Sequence, residues 1–253
     1  MSCLSYKKDA NSQNGEDGII EFIFKTLGVT NGNFIEFGAW DGKHLSNCYK
    51  LIGEGWKGIY IEGDVEKYNT LCENFGSLDG ITLIQRYVSY DNSDSLDNII
   101  EHSSHETKDF DFISIDVDGL DYNIFKSMDK YLPKVICIEV NAGHDPMHNL
   151  EIPIDIAKHN VGQSMYIISK EADRKGYFPL CYTGNLFLVK KEYKDLFEPY
   201  IKDLKFIYID FLDHLNEEQL QYLYNLFIRT SHPKYVYDFN RTLHDYVQAK
   251  YSL

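Results

Sequence analysis

An α/β fold, with a mostly parallel sheet covered by helices on both faces, is what this sequence predicts. Three observations carry that expectation. The runs at residues 34–37, 58–62, 81–85, 110–115 and 135–140 are almost continuously apolar and rich in β-branched side chains. Strands buried on both faces read this way, whereas strands with one wet face alternate. Between these runs lie stretches with apolar residues at helical spacing. Finally, 253 residues with 43% hydrophobic and 15% aromatic content are enough to bury one sizeable core.

Taken in order, the polar residues 12–17 lead into a helix over 19–27, and residues 34–37 form the first strand. A loop holding Gly38 and Gly42 follows, then a crossover helix over 46–52. The strand at 58–62 is bounded by Gly55 and Gly63. A helix over 65–75, a strand at 81–85 and a short helix over 96–101 come next. The helix over 122–131, between the strands at 110–115 and 135–140, ends before Pro133. A helix over 162–175 precedes strands at 177–181 and 185–189, which Thr183-Gly184 joins as an antiparallel edge hairpin. Beyond Lys190 the pattern changes to helical segments rich in Tyr, Phe, Leu and Asp. The expected organisation is one α/β domain over residues 1–190 with a helical extension, 191–253, packed on it.

Charge narrows the function. With 39 acidic against 25 basic residues and a net charge of −14, the chain is a poor partner for a phosphate backbone. Five cysteines without a CxxC pair suit reduced, buried thiols. The first residues lack the basic-then-apolar order of a secretory signal, and no apolar run reaches membrane-spanning length. The expectation is a cytoplasmic protein with neither nucleic acid nor membrane as partner.

The polar residues at the strand ends suggest chemistry. Glu36 and Asp41, Glu62, Asp116 with Asp118, and Glu139 all fall where the strands finish. In open α/β sheets ligands bind beyond that edge. Glu36-x-Gly38-x-x-x-Gly42 lets a backbone pass close to a ligand, since glycine has no Cβ. Glu62, about 20 residues further on, is where an acid accepts hydrogen bonds from ribose hydroxyls. That spacing serves NAD and S-adenosylmethionine (SAM) alike. The absence of Gly-x-Gly-x-x-Gly, and an acid at Glu36 that repels diphosphate but receives an ammonium, favour SAM.

The runs Phe34-Ile-Glu-Phe-Gly-Ala-Trp-Asp-Gly42, Ser46-Asn47, Gly55-Trp-Lys-Gly-Ile-Tyr-Ile-Glu62, Val88-Ser89, Ser95-Leu-Asp97 and Ile113-Ser-Ile-Asp-Val-Asp-Gly-Leu-Asp-Tyr122 together resemble the FkbM-type SAM-dependent methyltransferases. Ser12-Gln-Asn-Gly-Glu-Asp17, Lys175-Gly-Tyr177 and Thr183-Gly-Asn185 are similar to one branch of that family. The resemblance spans about residues 12–190. It implies the seven-stranded class I methyltransferase fold. It places Glu36, Gly38, Ala39 and Gly42 around the methionine end of SAM, Trp40, Asp41 and Ser46 among the other cofactor-binding residues, Glu62 at the ribose and Ser89 near the adenine. Gln13 would close over the cofactor and Asp116 would border it. The family's usual Glu-Pro after the second strand is Glu62-Gly63 here, a departure that leaves the acid in place. Members often act on sugars, nucleotide-linked sugars or polyketides, which implies a sugar or nucleotide-sugar substrate of a surface polysaccharide.

Methylating a sugar hydroxyl needs a base, a metal, or both, because the hydroxyl does not ionise at neutral pH. Asp116, Glu139 and Asn141 offer an all-oxygen set suited to Mg²⁺ or Mn²⁺. His144, with Asp116 and Asp118, supplies the candidate catalytic groups. Two rival chemistries remain: transfer to an amine or phosphoramidate, and nicotinamide-dependent oxidation. Residues 141–163 are the expected acceptor lid. The aromatic runs at 206–208, 222–227 and 235–239 leave three roles open: core packing, an active-site cover, or a homodimer interface.

Overall fold

The computed structural model describes residues 1–159, 161–229 and 240–251. His232 and the aromatic run 235–239 lie outside the described residues, as do the side chains at 226–229. Seven strands form one sheet: β1 (Asn33–Phe37), β2 (Lys57–Glu62), β3 (Ile81–Gln85), β4 (Phe112–Ile115), β5 (Val135–Glu139), β6 (Tyr177–Tyr182) and β7 (Asn185–Lys190). Their order is β3-β2-β1-β4-β5-β7-β6, and every pair from β3 to β5 is parallel. β7 runs antiparallel between β5 and β6. This is the topology of the class I methyltransferase fold. Strand order reverses between β1 and β4, where Phe34 pairs with Phe112 and Phe37 with Ile115. A ligand crevice opens beyond such a reversal. β6 is the sheet edge, which explains its tolerance of Pro179 beside a bulge.

The helices are α1 (Glu16–Leu27), α2 (Tyr49–Gly53), α3 (Val65–Phe75), α4 (Leu96–His102), α5 (Asp121–Ser127), α6 (Ile154–Ala157), α7 (Met165–Arg174), α8 (Leu204–Asp213), α9 (Glu217–Arg229) and α10 (Arg241–Tyr251). Three depart from the sequence expectation for physical reasons. α2 starts at Tyr49 rather than residue 46, because Ser46 Oγ and the amides of Asn47 and Cys48 donate instead to Glu36. α5 ends at Ser127 rather than near residue 131: the Asp97 carboxylate accepts from the amides of Asp129 (2.8 Å) and Lys130 (2.9 Å) and draws the chain away. α7 begins at Met165, where Ser164 accepts from Ile167 N. Residues 191–200 form a 3-10 run that contains Pro199.

One hydrophobic cluster joins both sides of the sheet with Ile207, Tyr208, Phe211, Leu212, Leu220, Leu243 and Val247 of the C-terminal helices. These helices also hold the loop after β5. Asn240, fully buried, donates through Nδ2 to Ala142 O (3.1 Å), His144 O (3.2 Å) and Tyr208 Oη (2.8 Å). Asp145 accepts from Thr242 N and Oγ1. Core packing is thus the observed role of Tyr208, while Phe206 and Tyr222 are exposed. Among the described residues no helix is long and apolar enough to cross a membrane. Cys3, Cys48, Cys137 and Cys181 are buried free thiols, and Cys72 is a half-buried one.

Candidate active site

The glycine loop lies at the β1 end of the crevice. Gly38 has φ +71, and a Cβ there would sit 2.4 Å from the carbonyl oxygen of Asp116, so the ends of β1 and β4 touch backbone to backbone. Gly42 N donates to Ala39 O (2.7 Å), closing the loop as a tight turn. Trp40 adopts φ +49 and is 47% exposed, with Lys67 Nζ 4.6 Å from its ring centre. Its amide donates to Glu62 Oε2 (2.7 Å), while Asp64 N donates to Oε1 (2.8 Å). Glu62 therefore stands beside the loop and fixes its shape. Asp41 turns the chain by accepting from Lys43 N and His44 N. Ser89 lies beyond β3, where its amide donates to Asp94 O and its hydroxyl faces Asp91.

Glu36 serves the scaffold. It is buried, and its carboxyl accepts from Ser46 Oγ (2.7 Å), Asn47 N (3.0 Å) and Cys48 N (3.3 Å). Ser46 is spent in the same network, also accepting from Tyr49 N. Burial pushes the Glu36 carboxyl up to about 7, against the pull of those donors. An acid raised in the fold contributes stability below its ordinary value near 4.5, and loses it as pH rises through the raised value. Stability is thus expected to fall between about pH 4.5 and 7. Glu36→Gln should flatten that part of a thermal-melt pH profile; an unchanged slope would remove Glu36 as the cause.

Across the crevice a cleft of about 380 Å³ opens beyond β4, β5 and β7, and Gln13, Asn14, Asp116, Asp118, Asp121, Glu139, Asn141, Tyr182 and Asn185 are among its lining. Gln13 thus borders this side. Its position follows from two buried acids at the start of α1. Asp17 Oδ2 accepts from the amides of Ala10, Asn11 and Ser12 and from Ser12 Oγ. Glu16 accepts from Asn14 N (2.7 Å) and Thr183 Oγ1 (2.7 Å), tying the N-terminal segment to the β6–β7 turn. Sequence reasoning missed Asn14, Glu16, Asp17, Tyr182 and Asn185; the paired acids Glu16-Asp17 were the available signal.

The structure brings Asp116, Asp118 and Glu139 together, with one carboxylate oxygen of each within 4.8 Å of the others. Asp118 holds φ +56, a left-handed conformation that aspartate tolerates better than most residues. Asp121 shapes this turn by accepting from Val117 N (2.8 Å) and Gly119 N (2.9 Å). Crowding leaves its mark on the carboxyls. Asp116 rises to about 6, first through desolvation by the cleft walls and then through Asp118 and Glu16. Glu139 rises to about 8, through burial and then Asp121, Asp116 and Asp118. Such a set either retains protons or binds a cation.

Asn141 and His144 both reach the carbonyl oxygen of Val161. Asn141 lines the cleft, but its Nδ2 donates to Val161 O and its Oδ1 accepts from Gly143 N (2.8 Å). Asp118 joins Asp116 and Glu139 in the carboxylate cluster. His144 is 3% exposed, stacks on His148 and has Nε2 3.2 Å from Val161 O, which fixes the proton on that nitrogen. It sits in the loop beneath the clasp of Asn240 and outside the cleft lining. Its geometry is that of a packed loop histidine, so the proton-accepting candidates become the carboxylates.

Residues 92–160 match the family model described as the methyltransferase FkbM domain. No curated protein matches the chain. Among solved structures, a SAM-dependent methyltransferase from Aquifex aeolicus aligns at 14% identity over 67% of this chain and 86% of its own, with a TM-score of 0.40. Another from Clostridium acetobutylicum aligns at 14% identity over 52% of each chain, with a TM-score of 0.35. These are distant likenesses. The family match covers Asp116, Asp118, Asp121, Glu139 and Asn141, the residues of the acidic side of the cleft. Carried on a sheet of this order, the matched segment makes the chain a methyltransferase.

Proposed function

We propose that the chain transfers the methyl group of SAM to a hydroxyl of a carbohydrate, with a nucleotide-activated sugar for a surface polysaccharide as the acceptor and the cytoplasm as its setting. The observation that carries this reading is the cleft beside the glycine loop, where Asp116, Asp118 and Glu139 converge among the amides of Gln13, Asn14 and Asn185. Amides and carboxylates together match the donors and acceptors of a sugar ring. The methionine end of SAM would lie against residues 38–42, with its ribose at Glu62, which keeps Gly38 next to Asp116 and the methyl group near the cleft.

The three carboxylates form an all-oxygen donor set that fits Mg²⁺ or Mn²⁺. When bound, such a cation lowers the proton affinity of a hydroxyl beside it. A carboxylate of the same cluster is the group placed to accept the hydroxyl proton. The protein's further task is to hold oxygen, methyl carbon and sulfur in line.

A second reading, transfer to an amine, is favoured by the four carboxylates Asp116, Asp118, Asp121 and Glu139 that line the cleft. A screen of nucleotide-sugars, free sugars and amino sugars with methyl-labelled SAM separates the two. Label on a sugar oxygen supports the first reading, and label on nitrogen replaces it with the second.

A further inference from the structure

Tyr182, at the end of β6, is a cleft-lining residue for which no role in donor or cation binding has been needed. It is 0% exposed, and no described residue shares a hydrogen bond with its hydroxyl. Its ring is fixed by α8: Phe211 meets it edge-on with ring centres 4.8 Å apart, and Tyr208 stacks at 6.0 Å. Phenylalanine would satisfy this packing equally well, and it would spare the fold a buried polar group without a partner, which is a net cost. The neighbouring Tyr208 shows the ordinary alternative, since its hydroxyl accepts from Asn240 Nδ2 at 2.8 Å. Among the described residues that line the cleft there is no Lys, Arg or His to receive an anion. What the walls offer instead are carboxylates, the amide residues Gln13, Asn14, Asn141 and Asn185, and Tyr182.

We propose that the Tyr182 hydroxyl is a specificity-determining contact of the acceptor, hydrogen-bonded to a hydroxyl-bearing ring that occupies the cleft. This inference rests on the methyltransfer reading above and names the part of the substrate that the cleft holds. The rigid ring, braced by the C-terminal helices, sets the position of the contact before the acceptor arrives. The described helices after residue 190 thereby contribute to acceptor choice by bracing this ring.

The test compares wild type with Tyr182→Phe in three measurements: thermal midpoint, S-adenosylhomocysteine affinity by calorimetry, and steady-state methyl transfer to the acceptor found in the sugar screen. The expected result is an unchanged or raised midpoint, unchanged S-adenosylhomocysteine affinity, and an acceptor KM increased about 10-fold, the effect of losing one buried hydrogen bond to substrate. Deoxy analogues of the acceptor identify the contacted hydroxyl, because the variant's penalty disappears on the analogue that lacks it. A lowered midpoint would show that the hydroxyl supports the fold, and an unchanged KM would show that it does not touch the acceptor; either overturns the proposal while leaving methyl transfer intact. If wild type fails to bind S-adenosylhomocysteine, or the screen yields no labelled sugar, the underlying reading fails and the proposal falls with it.

Discussion

Alanine in place of Asp116 or Glu139 is expected to lower methyl transfer by about 100-fold or more, and treatment with a chelator is expected to reproduce the loss. The scale is that of removing a positioned base or a charge-stabilising cation from the reacting oxygen. Both carboxyls belong to the same cluster in the cleft; Asp116 raises the proton affinity of Glu139, and Asp118 raises that of both. Removing either therefore relieves repulsion in the free protein, and the variants should fold at least as stably as wild type. That separation is the useful part of the test. Activity should fall while the thermal midpoint holds, and added Mg²⁺ or Mn²⁺ should raise the midpoint of wild type more than that of either variant. Full activity after chelation would remove the cation from the account and leave Glu139 as the base alone. Full activity of both variants would remove the cluster.

The second large effect is expected at Gly38. Gly38→Ala places a methyl group 2.4 Å from the Asp116 carbonyl oxygen and asks alanine to hold φ +71. Left-handed backbone costs about 1–2 kcal/mol for a residue with a Cβ, and the clash adds to it, for a loss of about 2–4 kcal/mol. Relief requires β1 and β4 to part at the reversal of strand order, where the donor would lie. The variant should therefore lose S-adenosylhomocysteine affinity by more than its stability loss alone explains. Gly28 provides the control: it also has a positive φ, of +71, but a Cβ there meets nothing within 4 Å. Gly28→Ala should show only the backbone cost and keep its cofactor affinity. Equal losses of affinity in both variants would contradict a ligand role for the Gly38 loop.

Strand positions were legible because burial on both faces demands continuous apolar runs, as in the Phe112–Ile115 strand. Helix ends were less so, since capping partners came from remote acids: Asp97 ends α5 from more than 30 residues away. The site was legible as an edge but not as contacts. Glu36 sits at a strand end like Glu62, yet one turns into the network of Ser46, Asn47 and Cys48 while the other faces the Gly38 loop. Nothing in local spacing separates those outcomes, because the partners of Glu36 are chosen by how the chain folds back ten residues later. His144 looked functional for following β5, and the fold covers it with Asn240, which is 96 residues away. The cleft wall from Asn14 was hidden for the same reason, being set by a Glu16–Thr183 hydrogen bond across 167 residues.

Titration calorimetry with S-adenosylhomocysteine and NAD on wild-type protein tests the central claim most directly. The account predicts saturable one-to-one binding of S-adenosylhomocysteine, weakened by Gly38→Ala, and no response to NAD. Tight NAD binding with no heat from S-adenosylhomocysteine would contradict it.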